Sequence, residues 1–175
     1  ASYMTYKHLF TRALSANPER LHFAAHSHHL WPDASFDGQV EAWEDAARLA
    51  DLKWGRIMGP VWEEAQGHIA RELKLPDPST LSFSPNTHDF LVRICSAIPK
   101  RPVRVLATDG EFHSFRRQMA RWVEASEAEL VNAPADELVA TAEAGGFDLI
   151  FASHVLFNSG TIISDLERLA ALARP

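Results

Sequence analysis

The chain has 175 residues and one cysteine, Cys95, which excludes an intrachain disulfide. Cys95 sits within the apolar run 90–98 and reads as a small buried hydrophobe rather than an activated nucleophile. A reducing compartment fits, so a cytoplasmic location is expected. No run of about 18 apolar residues occurs, so no membrane-spanning helix and no membrane partner is expected. The first residues lack the apolar stretch of a signal peptide, and Ala1-Ser2-Tyr3 ahead of Met4 reads as an expression remnant. Positive charge is also scarce: 17 Lys and Arg against 23 Asp and Glu leave a net charge of −6. That balance lacks the basic field of a nucleic-acid binder, so no nucleic-acid partner is expected. The densest basic cluster, Lys100-Arg101-x-x-Arg104, is broken by Pro102 and reads as a solvated loop. Also missing are GxGxxG, GxxxxGK[ST], HExxH and GxSxG, and with them the dinucleotide, P-loop, zincin and hydrolase-elbow signatures.

What is present is an ordinary globular composition, 46% hydrophobic and 23% charged, on a chain long enough to bury a core without staples. Residues 1–35 read as an N-terminal segment rich in His, and 36–175 as a folded domain. Phe36, Val40, Trp43, Ala47 and Ala50 recur with helical period, and Trp62, Ala65, Ile69 and Leu73 do so again before Pro76. Trp31, Trp43, Trp54 and Trp62 are expected in the core or at a subunit contact. From residue 80 the grammar changes. Strands are expected at 81–84, 103–107, 129–132 and 148–152. Helices between them are capped by Asn86 or Thr87 and by Ser114, and a capping box at Ser164-Asp165-Leu166-Glu167 opens a last one. Alternating strands and helices predict an α/β fold: three layers, a mostly parallel sheet with helices on both faces.

Ligands in such sheets sit at the strand carboxyl ends. Three segments there carry chemistry. Asn86-Thr87-His88-Asp89 opens a helix, either as an anion site or as an ordinary N-cap. Asp109-Gly110-Glu111-Phe112-His113-Ser114 gathers a carboxylate, an aromatic and an imidazole, and Ser153–Gly160 follows the last strand. His22, His26, His28 and His29, with Asp33, could instead hold a metal, but their spacing matches no standard zinc signature, so no metal site is assigned.

In order along the chain, these pieces resemble the class V aminotransferase family of pyridoxal-phosphate enzymes (fold type I), and within it the kynureninase-like branch. Residues 21–32, with Ser27 and Leu30-Trp31-Pro32, look like the family's opening motif, and Gly59-Pro60-Val61-Trp62 like the branch's Pro-Trp region. Asn86-Thr87-His88-Asp89 resembles the turn that holds the cofactor phosphate. Glu111-Phe112-His113-Ser114 resembles the motif whose aromatic stacks on the pyridine ring, and His154–Gly160 the later segment near that ring. The resemblance implies that 36–175 is the N-terminal part of a large cofactor domain. It implies pyridoxal 5'-phosphate as cofactor, contacted by Asn86, Thr87, His88, Phe112 and Phe157. Ser27, His28, His29 and His113 would orient an amino-acid substrate. The only lysines are Lys7, Lys53, Lys74 and Lys100, none at the position of the family's Schiff-base lysine. Relatives are roughly twice as long, so the chain is expected to be an N-terminal half, partnered by the missing C-terminal half or by a second copy. The alternatives are a non-catalytic module of the same fold and a metal hydrolase built on the His cluster.

Overall fold

The structure is a computed structural model that describes residues 5–25 and 27–173. Residues 1–4, with Ala1-Ser2-Tyr3 read as an expression remnant, His26 of the His cluster and the last two residues lie outside the described residues. The chain divides into two compact units, residues 1–83 and 84–175.

The first unit is helical: α1 (Thr11–Ala16), α2 (Asp33–Leu49), α3 (Lys53–Arg56) and α4 (Trp62–Leu73), with a kinked turn at Ile57–Val61. Pro32 precedes α2 in extended backbone, where its fixed φ suits a helix start. Asp33 serves a different helix: its carboxylate accepts from the Thr11 and Arg12 backbone N–H groups at 3.0 and 2.9 Å. It also accepts from Thr11 Oγ1 at 2.5 Å. These bonds, the Thr11 hydroxyl first, hold its carboxyl below the usual carboxylate range. The side chain therefore caps α1. Arg56 ties α3 to α2 through Asp45 and Glu41. The expected Trp core is not built: Trp31, Trp43 and Trp54 are exposed, Trp43 to 73%, and Trp62 alone packs, edge-on to Phe83 at 4.7 Å. Among the described residues of this unit only Gln66 and Ala70 are buried.

The second unit is α/β. It holds a three-stranded parallel sheet of β1 (Val103–Thr108), β2 (Ala128–Ala133) and β3 (Leu149–Phe151), in the order β2-β1-β3. The strand expected at 81–84 is absent; that segment is irregular, and its Leu81 carbonyl accepts from Gln66 Nε2 at 2.7 Å. Val105 pairs with Leu130 on one side and Leu149 on the other. Being central, β1 is buried on both faces, which explains its unbroken Val-Arg-Val-Leu-Ala-Thr run. Val103, Val105 and Ala107 face α5 (Thr87–Ala97) and α6 (His113–Glu124), meeting Leu91, Cys95, Phe115 and Met119. Leu106 faces the other way, toward Leu138 and Ala142 of α7 (Leu138–Glu143) and Leu169 of α8 (Leu166–Leu172). Helices thus cover both faces. Cys95 is buried as expected, and burial pushes its thiol up.

Two expected caps are corrected. α6 begins at His113, so Ser114 lies inside its first turn, and Asp165 at φ 60° precedes α8 without a side-chain cap, so no capping box forms. The basic cluster is an exposed bend at residues 100–102, as expected, but its charges are paired. Lys100, Arg101 and Arg104 pair with Asp148, Glu127 and Glu129, and Arg104 belongs to β1. Alternating positions on neighbouring chain segments set these charges opposite one another, which linear spacing does not reveal. Asp148 also accepts from the Arg104 backbone N–H at 2.8 Å. That hydrogen bond first, and Lys100 next, hold its carboxyl below the usual range. A depressed folded pKa stabilises the fold above the unfolded pKa, and the gain disappears as pH falls through the folded value. Wild type is therefore expected to exceed Asp148→Asn in urea midpoint at about pH 6, with the gap closing as pH falls below the usual carboxylate range. Parallel curves would separate this contact from folding.

Candidate functional site

In a sheet of order β2-β1-β3 the chain places β2 and β3 on opposite sides of β1, so the crevice in which such sheets take ligands is expected between the carboxyl ends of β1 and β3. Glu111 bridges the two strands there. It is 1% exposed, and its carboxylate accepts from Thr108 Oγ1 at 2.7 Å, the Ser153 N–H at 2.9 Å and Ser153 Oγ at 2.6 Å. One side chain therefore ties the last residue of β1 to the residues leaving β3, where the ladder has ended and backbone donors need partners. Gly110 precedes it because the chain passes close: a Cβ there would stand 2.7 Å from Leu156 Cδ1.

Phe112 comes next, extended at φ −60° and ψ 149°, with its ring 39% exposed. Residues 153–163 fold back through a Val155–Ile162 bridge, with Ile163 N–H donating to the His154 carbonyl at 2.8 Å. Phe157 sits in that loop. Its ring meets Phe112 edge-on at 5.2 Å, and the His113 ring lies 4.1 Å from Phe112 on a tilt. Phe112, His113 and Phe157 are thereby gathered at one strand-end crevice from separate elements.

Asn86, Thr87 and His88 start α5. The Asn86 side chain accepts from the Asp89 N–H at 3.0 Å, so it acts as an N-cap. Asp89 is bound by the Ser84 hydroxyl and by Arg93 at 2.8 Å. The Ser84 bond first, with Arg93 adding to it, holds its carboxyl below the usual range. His88 is different: its Nδ1 is buried without a hydrogen-bond partner. His88 and His113 together line a cleft of about 280 Å³ with Ser114, Arg117, Gln118 and Arg121.

Ser27, His28 and His29 belong to the first unit. The Ser27 and His28 N–H groups donate to the Ala24 carbonyl at 2.9 Å, and His29 Nδ1 donates to the Leu30 carbonyl at 2.8 Å. No group of three His, Cys, Asp or Glu side chains among the described residues is arranged to hold a metal ion. No described helix is long and apolar enough to cross a membrane.

Sequence reasoning noticed Glu111 only as part of a motif; its role as a strand tie depends on Ser153, which lies 42 residues away. It passed over Arg117 and Arg121 altogether, although His113, Arg117 and Arg121 recur at four-residue steps along one helix face. Comparison of the chain with protein-family models, with curated proteins and with solved structures found no match.

Proposed function

We propose that this chain is the N-terminal half of a pyridoxal 5'-phosphate enzyme acting on an amino acid, either a kynureninase-like hydrolase or lyase or an aminotransferase. It supplies phosphate-binding and ring-stacking residues but not the lysine that carries the cofactor. The observation that carries this reading is the exposed aromatic pair Phe112–Phe157 at the carboxyl ends of β1 and β3.

The residues present fit a phosphorylated aromatic ring at two points. Phe112 is 39% exposed and can offer its ring for stacking, and His88 has a buried nitrogen without a partner at the start of α5. When bound, pyridoxal phosphate supplies an electron sink. Thr87 and His88 would bind its phosphate end, Phe112 and Phe157 would hold the ring plane and exclude water, and His113 would orient the substrate. The second unit's one lysine, Lys100, leads into the amino end of β1 and pairs with Asp148, at the opposite end of the strand from the crevice. The cofactor-carrying lysine therefore comes from outside this unit. That placement also favours a second reading, a non-catalytic module of the same fold. The partner would be the C-terminal half or a second copy; the exposed Trp31, Trp43 and Trp54 support such a contact.

In the assembly that includes the lysine, Phe112→Ala is expected to weaken cofactor affinity by about 10-fold, the scale of one aromatic contact. Cofactor titration followed by absorbance measures this. Unchanged affinity would remove the stacking role, and an assembly that takes up no cofactor would turn the conclusion to the non-catalytic module.

A further inference from the structure

We infer that Glu111 is a positioning residue for the crevice. Its buried carboxylate sets the spacing of the Phe112 and Phe157 rings by seating the loop that carries Phe157 against the segment that carries Phe112. This role rests on the reading above only for the identity of the ring that those two side chains hold.

Glu111 is the one charged side chain that is buried among the described residues. Its partners are three donors, the Thr108 and Ser153 hydroxyls and the Ser153 N–H, rather than a cation. Taking a carboxylate out of water is costly, and an apolar side chain of similar volume would often hold a core as well. What an apolar side chain cannot do is fix direction, because a hydrogen bond is satisfied only near one distance and angle. All three bonds lie at strand ends beside the crevice: Thr108 closes β1, and Ser153 lies just beyond β3.

Two short segments meet here residue by residue. Glu111 holds Ser153, Gly110 makes room for Leu156, and Phe112 meets Phe157 edge-on at 5.2 Å. The third contact does not fix itself, since edge-on ring pairs are satisfied over centroid separations of about 4.5–7 Å. Beyond Ser153 the loop is bonded to itself. The Leu156 N–H donates to the Thr161 carbonyl at 2.9 Å, and the Gly160 N–H to the Leu156 carbonyl at 2.8 Å. The Ile163 N–H donates to the His154 carbonyl at 2.8 Å. A loop closed in this way shifts as one piece when its attachment shifts. Leu156 and Ile163 also attach it, in the cluster around Leu106, but apolar contact is non-directional and sets depth alone. Direction comes from Glu111, at the loop's entry and next to Phe112.

The test follows the nuclear Overhauser effect between the Phe112 and Phe157 ring protons in the full chain, without cofactor. Glu111→Met fills the space without accepting a bond and is expected to abolish it. Glu111→Gln should keep it, because the amide retains the oxygen shared by Thr108 Oγ1 and the Ser153 N–H. Ser153→Ala, a milder change that loses only the hydroxyl bond, should weaken it. Leu91→Ala truncates a buried leucine of α5 and controls for lost stability, so it should leave the ring contact in place. An unchanged ring contact in Glu111→Met or Ser153→Ala, or an equal loss in Leu91→Ala, overturns the positioning role. In the assembly that includes the lysine, Glu111→Met should weaken pyridoxal 5'-phosphate binding by about 10-fold, as Phe112→Ala does, and the double variant by no more than either. Additive losses would mean that Glu111 does not act through Phe112, and the role falls. If wild type takes up no cofactor, the cofactor reading falls instead, and the role of Glu111 is decided by the ring contact alone.

Discussion

Glu111→Ala is expected to destabilise the second unit by about 3 kcal/mol, because it strands polar groups rather than merely deleting a contact. The carboxylate is 1% exposed and accepts three hydrogen bonds. Once it is gone, the Ser153 N–H and two hydroxyls face an apolar void left by the side chain, and each must open to water or go unpaired. Glu111→Gln is the informative companion. It keeps the shape and the oxygen that accepts from Thr108 Oγ1 and the Ser153 N–H, while its amide can donate to Ser153 Oγ, which turns to accept, so well under half of the loss is expected. Ser153→Ala removes only Oγ and should cost about 1 kcal/mol. In a double-mutant cycle Glu111→Ala and Ser153→Ala should be strongly non-additive, since they share a bond. Urea unfolding gives all four values. Additive losses, or a Glu111→Ala loss below about 1 kcal/mol, would mean that the tie between β1 and β3 does not hold the crevice.

The same tie shows what could be read in advance. The α/β alternation was legible because β1 and the helices on either side of it carry strong periodic signals, and the burial of β1 on both faces follows from its apolar run. Leu81–Ser84 carries a similar short apolar signal, yet it has no strand partner, and a strand exists only by pairing. Caps were legible only where local sequence decides them. Asn86 bonds the N–H three residues on, whereas Ser114 was displaced because the chain leaves Phe112 already extended into α6. At the site, Phe112 and Phe157 were legible as residues after strands, but their contact was not. It depends on the Val155–Ile162 bridge and on Gly110 admitting Leu156, both long-range facts. Asp33, weighed beside four histidines as a metal ligand and left unassigned, is a cap for a helix that precedes it by 22 residues.

Leu106→Ala should cost about 3–4 kcal/mol, within the range for truncating a fully buried leucine. Its side chain is 0% exposed, at the centre of the face that α7 and α8 cover, with Leu138 and Ile163 beside it. None of these neighbours can collapse into the space without pulling on β1, whose backbone is fixed in register to β2 and β3 at once. The informative question is what happens on the opposite face. Val105 and Ala107 flank Leu106 in sequence but pack against Phe115 and Met119, and Trp122 lies against that second cluster. Because one strand serves both clusters, the two faces should lose structure together. The indole signal of Trp122, followed by NMR through a urea titration, is therefore expected to move to the same lowered midpoint as the backbone signals of α7. Leu91→Ala, made on the Trp122 face, should shift both probes in the same way. A Trp122 transition left in place by Leu106→Ala would instead mean that the faces fold independently, and the aromatic pair at the β1–β3 crevice would then rest on one face alone.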